Sequence, residues 1–232
     1  MCGRYSLAIP EPDVLRARFG LGPRVQLHQR YNIAPGQLAL NLVSEGDGVR
    51  AEQFQWGLVP SWADSPAIGS HLINARGETV AEKPAFRSSF RKRRCLVIAD
   101  GFFEWRPARH GAPKQPYRFT LADGAPFCFA GIWSEWEAAP GDPLRTFAII
   151  TTEANADVRG IHDRMPVVLA EPDEAAWLAT ETPPQKLQEL LLPTPDGTLI
   201  SYPVPRAVNS PRNDDPSVVK RVEQPGEPEH LF

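Results

Sequence analysis

The chain has 232 residues, enough to bury a core without disulfide or metal staples, as one large domain or two small ones. A composition of 42% hydrophobic and 23% charged residues excludes wholesale disorder, and no apolar run reaches the ~18 residues of a membrane span. The net charge of −3 excludes a uniformly basic nucleic-acid coat but leaves room for a local basic groove. In chain order, a helix is predicted over 12–19, with Pro12 suited to its first turn. Strands over 38–44 and 49–55 flank Glu45-Gly46-Asp47-Gly48 and read as a hairpin. A helix is expected over 75–83 and a short apolar strand over 94–99. Segments 116–122 and 126–136 flank Asp123-Gly124 and read as a second hairpin. Further strands are expected over 144–152 and 166–169 from their β-branched and aromatic content. Helices are expected over 172–179 and 183–192, the first with Asp173 and Glu174 at the positive end of its dipole.

The 25 prolines and 17 glycines argue against a helix bundle. Strands and helices do not alternate regularly, which argues against a doubly wound parallel sheet. The prediction is a single α+β domain over 1–210, β-rich, with curved, mainly antiparallel sheets and short flanking helices. Residues 211–232, rich in Pro, Asp and Glu, read as a flexible solvated tail. Three cysteines, Cys2, Cys95 and Cys128, with no CxxC spacing, argue against a disulfide framework or a cysteine-rich zinc site. MCGRYSLAIP at the amino terminus lacks the apolar core of a signal peptide. The expected compartment is therefore the cytoplasm, at the nucleoid in a bacterium, or the nucleus in a eukaryote.

Cys2 follows the initiator Met1. Removal of Met1 would leave a 1,2-aminothiol, whose amine has an ordinary pKa of about 7.7–8.0 and whose thiol one of about 8.5. Such a residue can attack an acyl carbon through sulfur with the amine as base. Alternatively, its amine can condense with an aldehyde and its thiol can close a five-membered thiazolidine. The competing reading is a small buried hydrophobe in the first strand. Cys95 and Cys128 lie in the apolar runs RCLVIA and FCFAG and read as core.

Several dense segments stand out: MCGRY, RYNIAPG at 30–36, WGLVPSW at 56–62, LINARGET at 72–79, RRCLVIADGFFEW at 93–105 and IHDRMPVVL at 161–169. Together, from Cys2 to about Asn209, the chain resembles the SOS-response-associated peptidase (SRAP) family, whose members shield abasic sites by crosslinking to single-stranded DNA. The resemblance implies that Cys2, Asn74, Glu104 and His162 are catalytic. Asn74 would lie against the amino-terminal cysteine and position the reacting group; by itself it also reads as a helix cap. In DGFFEW, alternation sends Phe103 and Trp105 one way and Phe102 and Glu104 the other. Glu104, an acid among aromatic residues, would serve as general acid and base, or else is a strand-edge carboxylate. His162 titrates near neutrality and would assist Schiff-base formation; otherwise it is structural. His28, His71, His110 and His230 show no metal-like spacing, and neither a metal nor a cofactor is expected.

Arg4, Arg76 and Arg164 each stand two residues from a proposed catalytic residue, which suggests phosphate clamps, against the alternative of ordinary salt bridges. The resemblance adds Asn32, Pro35 and Trp62 as residues that line the strand or stack on its bases. Trp56 reads as core. The run 87–94 is either a solvated helix face or an extension of a basic groove. The expected partner is single-stranded DNA carrying abasic sites, bound by a monomer, with autopeptidase and lyase activity conceivable in such a site. Two other functions compete: an amino-terminal-cysteine amidohydrolase, and a module that binds single-stranded DNA without chemistry.

Overall fold

The computed structural model describes residues 2–46, 48–107, 113–137, 141 and 143–223. In chain order its elements are β1 (Tyr5–Leu7), α1 (Pro12–Phe19), β2 (Arg30–Ile33), β3 (Leu38–Glu45), β4 (Gly48–Trp56), β5 (Asn74–Arg76), α2 (Arg87–Lys92), β6 (Arg94–Ala99) and β7 (Gly101–Arg106). There follow β8 (Gln115–Leu121), β9 (Phe127–Trp136), β10 (Leu144–Glu153), α3 (Ala156–Arg159), β11 (Arg164–Pro166), β12 (Val168–Leu169), α4 (Glu171–Leu178), α5 (Pro184–Glu189) and β13 (Leu199–Pro203). One sheet is antiparallel throughout, ordered β13-β8-β7-β1-β2. In the other, β10, β4, β3, β6 and β9 close back on β10 as a small barrel, to which β11, β12 and β5 add. Among the described residues only β4 and β5 run parallel to β10. This is the β-rich α+β architecture that the sequence predicts. Among the described residues no helix is long and apolar enough to cross a membrane.

The barrel interior explains why the apolar runs are strands. All six residues of β6 are buried, and β9 and β10 each bury a continuous run of at least six, so pattern alternation is lost where both faces are covered. Tyr5, three residues after Cys2, is wholly buried, with its ring edge-on to Trp56 at 5.2 Å and to Phe129 at 5.7 Å. Burying a side chain of this size contributes roughly 1.5–3 kcal/mol. That contact anchors the start of the chain against the barrel. On the far side of β7, Phe103 joins Val204, Val208 and Val218 in a separate cluster, with Trp105 packed on it, while Phe102 stacks on Phe119 in the main core. The alternation expected in DGFFEW is therefore present.

Three expectations about these elements are corrected. Segment 75–83 is not a helix: Ala75 pairs with Ile150 as part of β5 and is wholly buried, and turns follow to Phe86. The helix in this region is α2, from the basic run, and Arg94 at the end of that run is buried, donating to the carbonyls of Phe90, Arg91, Trp177 and Ala179. Strands β8 and β9 do not form a hairpin. The chain turns at Gly124 (φ 71°) and crosses from one sheet to the other; β8 pairs with β7 and β13, and β9 with β6, β10 and β12. The 166–169 strand is split at Val167, with β11 on β10 and β12 on β9. By contrast, α1 and β6 coincide with their predicted spans, and the β3–β4 hairpin pairs from Leu38↔Gln55 to Glu45↔Gly48.

Residues 211–223 are packed rather than solvated. Asp214 accepts the backbone N–H groups of Tyr31 and Asn32 and pairs with Arg30, and Val218 is wholly buried. The remainder of the expected tail, 224–232, lies outside the described residues.

Candidate active site

Cys2 lies just ahead of β1, whose pairing with β7 brings it beside Glu104. Phe103 N–H donates to Arg4 O at 3.0 Å, and the Cys2 thiol is directed at that same oxygen at 3.8 Å. Cys2 is wholly buried. Burial first, and the negative charge of Glu104 second, push its thiol far above the ordinary range. At neutral pH the sulfur is a neutral thiol.

Asn74 opens β5, opposite Ile149 of β10, and its Nδ2 donates to Cys2 O at 2.8 Å. Its Oδ1 is buried with no hydrogen-bond partner. An acceptor left in that state costs about 1–3 kcal/mol unless a donor arrives. The helix-cap alternative for Asn74 therefore gives way to a contact with the start of the chain. Glu104, on β7 opposite Tyr117, is 3% exposed. Burial lifts its carboxyl to about 7, against a downward pull from the positive amino terminus. It can thus both hold and release a proton near neutrality.

His162 follows α3, which Asn155 caps by accepting Val158 N–H, and His162 N–H donates to Val158 O at 3.0 Å. Its Nδ1 stands 3.0 Å from Arg164 N and 2.9 Å from Asp163 Oδ1. Burial, and then the positive amino terminus, hold the imidazole below its ordinary pKa, with Asp163 pulling the other way. A neutral histidine, a carboxyl near 7, an amide with an orphan oxygen and a cysteine therefore share one corner of the fold.

The residues expected to hold a strand divide into two groups. Trp62 is 60% exposed, and Pro35 and Arg76 are exposed. Trp62, Asn74, Arg76, Lys83 and Phe86 line a cavity of about 560 Å³ that opens beside the site. Arg4 and Asn32 instead face inward. Arg4 Nη1 donates to Asn32 Oδ1 at 2.7 Å and to Val208 O, and Asn32 Nδ2 donates to Val208, Ser210 and Asn213 carbonyls. Asn32 is wholly buried, so its side chain offers no surface to a strand; it holds the Arg4 guanidinium in place. Arg164 is held by Glu78 and Thr151, two residues that motif spacing did not single out because their role is visible only across strands. Trp56, Cys95 and Cys128 are core, as read from the sequence. A cavity of about 580 Å³ beside Arg24, His28, Arg30 and Gln53 contains none of the four expected catalytic residues.

Known proteins can now be compared with this arrangement. The chain is 39% identical over 224 residues to abasic site processing protein YoqW of Bacillus subtilis, covering 95% of this chain and 99% of that one. It is 33% identical over 195 residues to abasic site processing protein YedK of Escherichia coli, covering 83% and 85%. A crystal structure of a Bacteroides thetaiotaomicron protein superposes with a TM-score of 0.84 at 30% identity, covering 96% of this chain and all of that one. A family model described as SOS response associated peptidase (SRAP) matches residues 1–211, the stretch that contains Cys2, Asn74, Glu104 and His162. By that match, and by relatives aligned over most of their length, the chain belongs to the SOS response associated peptidase family.

Proposed function

We propose that the protein captures abasic sites in single-stranded DNA as a covalent thiazolidine at Cys2. With Met1 removed, the Cys2 amine adds to the C1′ aldehyde of the ring-opened sugar, and water leaves to give a Schiff base. The thiol then adds to the imine carbon, and its proton passes to the nitrogen, closing the ring. The observation that carries this reading is the Asn74 amide: Nδ2 holds Cys2 O at 2.8 Å while the buried Oδ1 waits for a donor. A newly freed Cys2 ammonium is such a donor. Glu104, with its carboxyl near 7, supplies the proton that lets water leave. Neutral His162 takes the proton that the ammonium must lose before it attacks.

The order of steps follows from the same electrostatics. A buried neutral thiol beside a carboxylate is a poor first nucleophile, so the amine leads and sulfur traps the imine. This also disfavours thiolate-led amide hydrolysis. Trp62 and Pro35 offer flat surfaces for bases, and Arg76 and Arg164 offer phosphate contacts around the reacting sugar. Arg4 and Asn32 face inward, with Asn32 holding the Arg4 guanidinium in place.

The test is a denaturing gel of the protein with a single strand carrying one abasic site, beside undamaged strand and the Cys2→Ala variant. An intact-mass spectrum checks that Met1 has gone. The expected result is a heat-stable shifted band that needs both the lesion and Cys2. Absence of that band with a confirmed free Cys2 amine would sink the mechanism.

A further inference from the structure

Glu78 and Arg164 form an arrangement that the capture chemistry does not use. Strand β5 pairs along one edge of β10 at Ile149, Ile150 and Thr151, and β11 along the other at Thr151, Thr152 and Glu153. Glu78, in the turn after β5, reaches across the end of β10 to Arg164. Its two carboxylate oxygens accept from Arg164 Nη1 at 2.5 Å and Nη2 at 2.9 Å. This two-pronged geometry is the one in which a guanidinium binds a carboxylate or a phosphate alike. Arg164 Nη2 also donates to Thr151 O at 2.8 Å, the oxygen that accepts Gly77 N–H at 2.8 Å. The fork is therefore fixed in place by backbone as well as by Glu78.

The two partners differ in exposure. The Arg164 side chain is 15% exposed and that of Glu78 is 47%. The arginine is held and covered, while the carboxylate is the half that can leave. Arg164 Nε is buried with no acceptor, so Glu78 does not satisfy the whole guanidinium. The charge of Arg76, exposed nearby, also acts on Glu78.

We propose that Glu78 is a resident anion in the Arg164 fork and that a backbone phosphate of the bound strand displaces it. The inference rests on the single-strand reading above and adds a brake to it. With Glu78 in place, Arg164 presents no uncompensated charge to passing undamaged DNA. A strand that threads the site must exchange one anion for another, and the displaced carboxylate swings into water that it already half occupies. Non-covalent affinity is held down, and lasting retention is left to the covalent step.

The test uses undamaged, fluorescently labelled single strand and the full chain carrying Cys2→Ala, so that no crosslink intervenes. Glu78→Gln is expected to tighten binding about three- to tenfold, the size of effect that removing one partly exposed competing ion pair produces. In an Arg164→Ala background the same substitution is expected to change binding less than about twofold, because the fork it frees is gone. Equal tightening with and without Arg164 would reduce the effect to general charge and overturn the proposal. So would unchanged or weaker binding by a Glu78→Gln protein that melts at the wild-type temperature. If Glu78→Gln folds poorly, Glu78→Asp keeps the charge but shortens its reach, and is expected to tighten binding in part; no tightening there counts equally against the proposal. Failure of wild-type crosslinking, with Glu78→Gln still tighter on undamaged strand, would remove the capture reading and leave this one standing.

Discussion

Glu104 and Cys2 show how a reactive corner can be made from core material. Both are buried, and burial is the first reason each is harder to ionise; the charge of Glu104 adds to the effect on the Cys2 thiol, because two adjacent negative charges in a poorly solvated place cost more than one. The result is a carboxyl that titrates near 7 and a thiol that stays protonated. The linkage to stability has a definite sign. Glu104 has its folded pKa raised above the ordinary 4.5, so its favourable contribution is complete below that value and is lost as pH rises towards about 7. A rise of that size corresponds to on the order of 3 kcal/mol. Glu104→Gln carries no such titration. The stability gap between the variant and wild type is therefore expected to move by about 3 kcal/mol in favour of Glu104→Gln between pH 4.5 and pH 8.5. Urea unfolding at a series of pH values measures it; parallel curves would show that the carboxyl does not titrate in this range. In the proposed mechanism the same residue supplies the proton that lets water leave, so capture is expected to slow as pH rises through about 7, and Glu104→Gln to lack that limb.

Loops and strand ends, rather than the strands themselves, decide where the expected DNA contacts lie. Gly57, just after β4, has φ 128°, and a Cβ built there would stand 2.7 Å from Gly69 O; a Cβ on Gly69 would stand 2.6 Å from Gly57 O. The two backbones touch at the base of the loop that carries Trp62. Gly57→Ala is expected to cost about 2–4 kcal/mol, from overpacking added to an unfavourable backbone region. It is also expected to weaken strand binding, because the loop cannot close in the same place. Melting temperature and strand affinity report the two effects, and a variant with wild-type values for both would refute the close-packing argument. These junctions are what the sequence conceals. The β3–β4 hairpin was legible because its turn residues and strand patterns agree with its pairing. The β8–β9 pairing was not, because Asp123-Gly124 makes the same turn whether the chain folds back or crosses between sheets. The helix expected over 75–83 lost to β5 because Ala75 gains a buried seat on β10, a tertiary effect absent from local propensity. Likewise Cys2, Asn74, Glu104 and His162 were legible as a set only through family motifs. Residue chemistry alone left a cap, an edge carboxylate and a structural histidine as open alternatives.

At the scale of the whole molecule, the net charge of −3 means that no general attraction draws DNA to this surface. Under the proposed function, binding must come from a few cations around one cavity, and the structure limits which they are. Arg4 and Arg94 are spent on internal carbonyls and Arg30 on Asp214, and Arg164 is occupied by Glu78 until a phosphate displaces it. Arg76 and Lys83 are exposed cations lining the cavity that Asn74 and Trp62 also line. On that reading these two carry a large share of the ionic part of binding, Arg76 standing two residues from Asn74. On a single strand each neutralised phosphate adds about 0.7 to the slope of log affinity against log salt. Arg76→Ala is expected to make that slope shallower by about 0.7 and to weaken binding by a similar factor for every sequence tested, since a phosphate contact carries no base information. Stacking on Trp62 should respond in the opposite manner: Trp62→Ala is expected to lower affinity with the slope retained, because stacking releases no counterions. Titrations of both variants at several salt concentrations separate the two contributions. An unchanged slope in Arg76→Ala would mean that the phosphate path runs elsewhere, Lys83 of the same cavity and then the exposed Arg87, Arg91 and Lys92 of α2 being the next cations to test.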